Sequence, residues 1–201
     1  MSWNEVCVGS NYNQNYWGGQ FATKGLGADF NAATENVFNP ATIATIASIE
    51  TLNEYSATTA ESSNCSPCDQ SGVGICQVGE LMFDAWNNYM GGGYTWCTSI
   101  CGTNYKNNIQ ICADFLVTAF YKLQELGYTN SVQMMAMAAT SWNGKGDCPP
   151  SSGGTFYPWG SSFPCGLPAS NCITAYGATA GNLFLNSGYF GSGVFDSSIT
   201  L

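Results

Sequence analysis

Residues 131–141 read Ser-Val-Gln-Met-Met-Ala-Met-Ala-Ala-Thr-Ser, a segment in which apolar residues fall on every side of a helix. Such a helix must be surrounded by other elements, because no face of it suits water. The segment therefore predicts the central helix of a mainly helical core. We interpret Met134, Met135 and Met137 as packing residues, since methionine adapts to irregular gaps.

Further helices are predicted around this segment from periodicity, capping and stop signals. One opens at Asn39-Pro40, a capping residue followed by proline at the first helical position, and continues to about Glu61. Three others are bounded by glycine or by a loss of periodicity, at Val78–Tyr89, Asn107–Leu126 and Thr174–Asn186.

The chain length of 201 residues predicts one domain, covering residues 1–201. The ends differ from the middle in composition. Residues 1–39 and 147–201 are rich in Gly, Ser, Asn and aromatic residues, so we expect loop-rich extensions that disulfides tether to the core.

Charged residues are few, and most of them are acidic. Charged residues make up only 8% of the chain, with four Lys and thirteen Asp or Glu, for a net charge of -9. Nucleic-acid binding needs clustered cations, and a membrane span needs a long apolar run, so we expect neither partner. Histidine does not occur, which excludes His-based triads and most catalytic zinc sites. Carboxylates must therefore supply any acid–base chemistry.

The ten cysteines are an even number spread along the chain, which predicts up to five disulfides and a secreted, extracellular protein. An alternative is a zinc module built from two close pairs, Cys65 with Cys68 and Cys97 with Cys101. Zinc would leave six cysteines unexplained, so we expect no metal and no cofactor.

The stretch 60–78 carries the candidate chemistry, and it reads Ala-Glu-Ser-Ser-Asn-Cys-Ser-Pro-Cys-Asp-Gln-Ser-Gly-Val-Gly-Ile-Cys-Gln-Val. A carboxylate, Glu61, is followed by Ser62 at the end of a predicted helix. A turn punctuated by glycine then leads to Gln77. Two more stretches follow in the chain, Asn-Asn-Ile-Gln at 107–110 and Ala-Ala-Thr-Ser-Trp-Asn-Gly at 138–144.

In their order and spacing these stretches resemble the lysozyme-like superfamily of soluble lytic transglycosylases and goose-type lysozymes, over about residues 40–146. The resemblance implies an α+β, predominantly helical, lysozyme-like fold, here with disulfide-stapled loops. It also implies that Glu61 is the general acid that protonates a glycosidic oxygen. A helix C-terminus and partial burial both favour the protonated carboxyl. Glu50 and Glu54 lie on the same predicted helix, and Glu54 is the reserve candidate.

An inverting hydrolase needs a second carboxylate, and Asp69 is the nearest in sequence, although Asp is equally common as a turn former. Hydrolysis and transglycosylation therefore both stay open. The resemblance and the residue types favour amide and aromatic side chains as substrate contacts, because amides offer both a donor and an acceptor and aromatic rings offer flat faces. These candidates, each of which has an alternative role in packing or turn formation, are Ser62, Gln77, Tyr105, Trp142 and Asn143.

The expected partner is a β-1,4-linked polysaccharide, and we expect a monomer. The resemblance favours chains containing N-acetylglucosamine, such as chitin or peptidoglycan. The net charge of -9 instead favours neutral polymers, including cellulose and mannan, or cationic ones over anionic peptidoglycan. The alternative from another functional class is a secreted carbohydrate-binding protein that has the same fold and no catalytic activity.

Overall fold

The computed structural model describes residues 24–35, 38–52, 55–63, 65, 68, 72–143, 173 and 175–185. Over these residues the chain is mainly helical, which confirms the helical prediction. The β component occurs, within the same residues, only as an isolated antiparallel bridge between Val73 and Val78. The helices are α1 Gly27–Ala33, α2 Ala41–Thr51, α3 Ala57–Ser62, α4 Glu80–Tyr89, α5 Tyr105–Glu125, α6 Ser131–Trp142 and α7 Ala175–Leu185.

Helix α6 lies at the centre of the core, as predicted. Every residue from Met134 to Trp142 is buried, including the three methionines. Helix α5 packs on α6 with apolar residues spaced three and four apart between Ile109 and Leu123. Helix α7 makes the most extensive contact with α6 among the described elements, and it also contacts α2.

The prediction of one continuous helix from Pro40 to Glu61 is wrong. Helix α2 ends at Thr51, and Leu52 follows in the left-handed conformation with φ 49°. A new helix, α3, then begins after Ser56. The Ser56 hydroxyl accepts from the Thr59 N–H at 3.1 Å, while the Thr59 hydroxyl accepts from the Ser56 N–H at 2.7 Å. This reciprocal cap satisfies two backbone donors and fixes the start of α3.

The other helix boundaries lie within two residues of their predicted positions. Helix α4 begins at Glu80 because Val78 is paired instead with Val73, by two N–H to carbonyl bonds of 2.9 Å each. Within the predicted loop-rich segment 1–39, the structure adds α1. Its Phe30 is fully buried and belongs to the same hydrophobic core.

Two disulfides, Cys65–Cys101 and Cys68–Cys97, join the loop after α3 to the segment before α5, with Cα–Cα distances of 5.9 and 6.2 Å. The prediction of stapled loops is thus confirmed for these cysteines. The zinc alternative is wrong for the same four, because their sulfurs are bonded to one another. Cys76 and Cys112 are buried thiols. The remaining cysteines lie outside the described residues: Cys7, Cys148, Cys165 and Cys172.

Among the residues placed in the structure, no helix combines the length and the apolar character that crossing a membrane requires.

Candidate active site

The Glu50 carboxyl is the point where three helices meet. Glu50 is the penultimate residue of α2, close to the negative end of the helix dipole. The Tyr176 hydroxyl on α7 donates a hydrogen bond of 2.5 Å to Glu50 Oε1. The indole of Trp142, the last residue of α6, lies close enough to the same carboxyl to lower its pKa. Residues far apart in the sequence therefore surround one acidic group.

Burial raises the pKa of Glu50 from its ordinary value of 4.5, because the carboxylate loses water. The hydrogen bond from Tyr176 and the nearby Trp142 indole lower it, but burial has the larger effect. Burial, together with the charge of Glu50, raises the pKa of Tyr176 well above 10, so this hydroxyl remains a neutral donor. Glu50 keeps part of its surface exposed. A carboxyl that is partly exposed and that holds its proton to higher pH is suited to general acid catalysis.

A glycine brings Tyr176 to Glu50. Gly177 lies against α6 so closely that a Cβ at this position would overlap the Thr140 Oγ1 and the Ala136 carbonyl oxygen. Only a residue without a side chain permits this approach of the two helix backbones. The close crossing of α6 and α7 thus sets the position of the tyrosine hydroxyl next to the carboxyl.

The glycine-rich turn of residues 72–78 is held by Asn108 of α5. The Asn108 side chain accepts from the Cys76 N–H at 2.9 Å and donates to the Val73 carbonyl at 2.8 Å. Gly74 has φ +74°, and a Cβ there would overlap the Asn108 amide, so glycine is required for both reasons. Two of the stretches that carry the family resemblance, 72–77 and 107–110, therefore meet in space.

The structure places Glu61 and Ser62 on the exposed surface at the end of α3. The Ser62 hydroxyl donates to the Thr59 carbonyl at 3.2 Å within the same short helix. The backbone carbonyl of Glu61 faces Gly102, which precedes α5. Glu61 thus has neither the burial nor the hydrogen-bond donors that surround Glu50.

Tyr105, a predicted substrate contact, is only 8% exposed, and its hydroxyl donates to Asp29 at 2.5 Å. Asp29 also pairs with Lys106 at 3.0 Å. Burial, the bond to Asp29 and the charges of Asp29 and Glu61 hold the pKa of Tyr105 well above its ordinary range. The tyrosine is thus committed to joining α1 to α5.

The remaining predicted substrate contacts differ in their surroundings. Trp142 lies near Glu50, but its ring is 6% exposed and packs edge-on against Phe115 at 5.1 Å, so it offers no stacking surface for a sugar. Gln77 lies in the turn, and its amide donates to the Gly74 carbonyl at 2.8 Å. Asn143 is half-buried at the end of α6. Asp69 and the reserve acid Glu54 lie outside the described residues.

A cleft of about 410 Å³ lies between α1, α4 and α5. It contains two carboxylates, Glu35 and Asp114. Asp114 accepts hydrogen bonds from the Trp86 indole at 2.7 Å and the Gln110 amide at 2.8 Å. Burial raises its pKa above 3.8, these bonds lower it, and the charge of Glu35 raises it further.

Sequence reasoning missed Tyr176 and underrated Glu50. A signal for Glu50 does exist, because the pattern of a glutamate followed by a hydroxyl residue at a helix end occurs twice, at Glu50-Thr51 and at Glu61-Ser62. The first of these helices carries apolar residues at almost every turn, and it is therefore the one expected to be buried. Nothing local in the sequence indicates that Tyr176 contacts Glu50, 126 positions away.

Comparison with known proteins gives no match for this chain among family models, curated proteins or solved structures.

Proposed function

We propose that this protein is a glycan-cleaving enzyme in which Glu50, in place of Glu61, protonates the glycosidic oxygen. The observation that carries the proposal is one partly buried carboxyl that accepts a hydrogen bond from the Tyr176 hydroxyl and lies beside the Trp142 indole. General acids in glycosidases are carboxyls kept neutral by their surroundings, and this is the kind of surrounding that Glu50 has.

The chemistry follows from those contacts. Glu50 gives its proton to the oxygen of the leaving sugar as the glycosidic bond breaks, and the ring acquires oxocarbenium character. The carboxylate that results accepts a hydrogen bond from Tyr176 and lies beside the Trp142 indole, and both stabilise its new charge. It then takes a proton from the group that attacks the anomeric carbon. That group is water in hydrolysis and a hydroxyl of the sugar itself in transglycosylation, so one carboxylate serves both steps.

A lysozyme-like fold is part of the proposal. Three of the sequence stretches that resemble the lysozyme-like superfamily support it, because they lie on elements near Glu50. These stretches contain the 72–77 turn, Asn108 and Trp142. The substrate class is a β-1,4-linked polysaccharide, with neutral chains such as chitin, cellulose or mannan preferred to anionic peptidoglycan because of the net charge of -9. Two disulfides support an extracellular setting.

The test compares wild type, Glu50→Gln and Glu61→Gln on chitin oligomers, peptidoglycan, cellulose and mannan, with products identified by mass. Glutamine keeps the carbonyl that accepts from Tyr176, so the fold is retained while the transferable proton is lost. We expect Glu50→Gln to reduce cleavage by about 10²- to 10⁴-fold, the usual contribution of a general acid. Glu61→Gln is the matched control on the exposed helix and should retain activity.

Products lighter by one water than the hydrolysis products would identify the transglycosylase route. A folded Glu50→Gln variant with full activity and an inactive Glu61→Gln variant would reverse the assignment of the acid. Saturable binding of a polymer without cleavage by wild type would favour the alternative, a carbohydrate-binding protein.

A further inference from the structure

Cys76 and Cys112 form a pair of buried thiols next to the candidate active site. Both side chains are 0% exposed. Cys76 lies close enough to Cys112 to raise the pKa of the Cys112 thiol, Glu50 lies close to Cys112, and Tyr176 lies close to both thiols. Two cysteine thiols therefore lie close together between the glycine-rich turn and α5.

Non-covalent contacts hold the two cysteines next to each other without a bond between their sulfurs. The Cys76 N–H is held by Asn108 Oδ1 at 2.9 Å. Asn108 and Cys112 are four residues apart on α5, so they lie on the same face, one turn from each other. The turn that carries Cys76 is thus anchored directly beside the helix position that carries Cys112.

We propose that Cys76 and Cys112 form a disulfide, in addition to the two found among the described residues, when the protein folds in the presence of a disulfide oxidant. The oxidant is a small-molecule or protein disulfide. One cysteine thiolate attacks it, a mixed disulfide forms, and one thiol leaves; the second cysteine then attacks the protein sulfur and releases the other thiol. The two protein thiols lose two electrons and two protons, and the oxidant is reduced to two thiols.

This bond adds a constraint that the two existing disulfides do not supply. Cys68–Cys97 is nested inside Cys65–Cys101, whereas Cys76–Cys112 begins inside the outer loop and ends beyond it. It therefore joins the turn to α5 itself. Burial raises the pKa of the Cys112 thiol well above 9.0, so little thiolate exists once the site is packed.

The test is a disulfide map of protein refolded in a glutathione redox buffer. Free thiols are first alkylated under denaturing conditions, and the unreduced chain is then cut after lysine and before aspartate. Cys76 lies alone in fragment 69–83 and Cys112 lies alone in fragment 107–113. The cysteines of the other two disulfides fall in fragments 29–68 and 84–106. We expect a linked species of 69–83 with 107–113 that separates on reduction.

Two results would overturn the proposal: recovery of 107–113 in alkylated form, or its linkage to a fragment other than 69–83. The matched variants Cys76→Ala and Cys112→Ala should each release the opposite fragment as an alkylated monomer. They should leave the linked species of 29–68 with 84–106 unchanged. Loss of that second species in both variants would show general misfolding, so a map with it intact reports on the Cys76–Cys112 bond alone.

Discussion

At the level of single residues, the chemistry of Glu50 depends on a competition between burial and hydrogen bonding. The Tyr176 hydroxyl and the Trp142 indole stabilise the charged carboxylate, and burial opposes them with a larger effect. Asp114 shows the same competition on the other side of α5, with Trp86 and Gln110 as donors. The fold thus contains two carboxyls that are costly to ionise.

The raised pKa of Glu50 predicts a specific dependence of stability on pH. Below the ordinary pKa of 4.5 the carboxyl is protonated in folded and unfolded chains alike, so its contribution to the free energy of unfolding is at its most favourable. As the pH rises through the pKa in the folded state, that contribution is lost, because the unfolded chain ionises more easily. Glu50→Gln removes the titration. We expect the free energy of unfolding of the variant, relative to wild type, to increase with pH.

Denaturant titrations at acidic and neutral pH measure this difference, and Glu61→Gln, on the exposed surface, is the control. A relative stability of Glu50→Gln that stays constant or declines with rising pH would contradict the prediction.

At the level of elements, the contact between α6 and α7 positions the site. Gly177 allows the two backbones to touch near Ala136 and Thr140, and Tyr176 precedes it. A methyl group at Gly177 has no space, so Gly177→Ala should lower the free energy of unfolding by about 1–3 kcal/mol, the usual cost of overpacking. It should also weaken the bond between Tyr176 and Glu50.

A double-mutant cycle checks the origin of this loss. Thr140→Ala removes one of the two groups that the new methyl would overlap, so Gly177→Ala should cost less in the Thr140→Ala background. Equal costs in both backgrounds would show that the contact with α6 is not responsible.

The sequence indicates most helices correctly because their signals are local. Gly127 follows the end of α5, and apolar residues at helical spacing define its buried face. The break after α2 was missed for a physical reason: leucine seldom adopts the left-handed conformation that Leu52 has, and Ser56 with Thr59 caps α3 without the usual Glu or Gln. The sequence does not identify the candidate site residue by residue, because the contact of Glu50 with Tyr176 joins helices that are far apart in the chain.

At the level of the whole molecule, a net charge of -9 with only four Lys affects encounters with large substrates. A chain of this charge repels anionic polymers over roughly the Debye length, which shrinks from about 30 Å at 0.01 M salt to about 10 Å at 0.1 M. Neutral polymers are not repelled by the net charge. Under the proposed function, electrostatics would therefore discriminate between anionic and neutral polymers before any contact in the site.

We expect kcat/KM for an anionic glycan such as peptidoglycan to increase with salt over this range, while the value for neutral chitin oligomers stays nearly constant. Initial rates at several salt concentrations provide the measurement. A decrease with salt for the anionic polymer would mean that local positive charge, and not the net charge, governs the encounter.

The tyrosine that covers Glu50 belongs to the last helix of the described chain. During synthesis, α2 emerges from the ribosome long before residue 176 does. Until then the glutamate is an ordinary solvated carboxyl, which loses its proton easily and makes a poor acid. The order of translation thus delays completion of the proposed site, and under the proposed function an incomplete chain would lack the general acid needed to cleave a glycan.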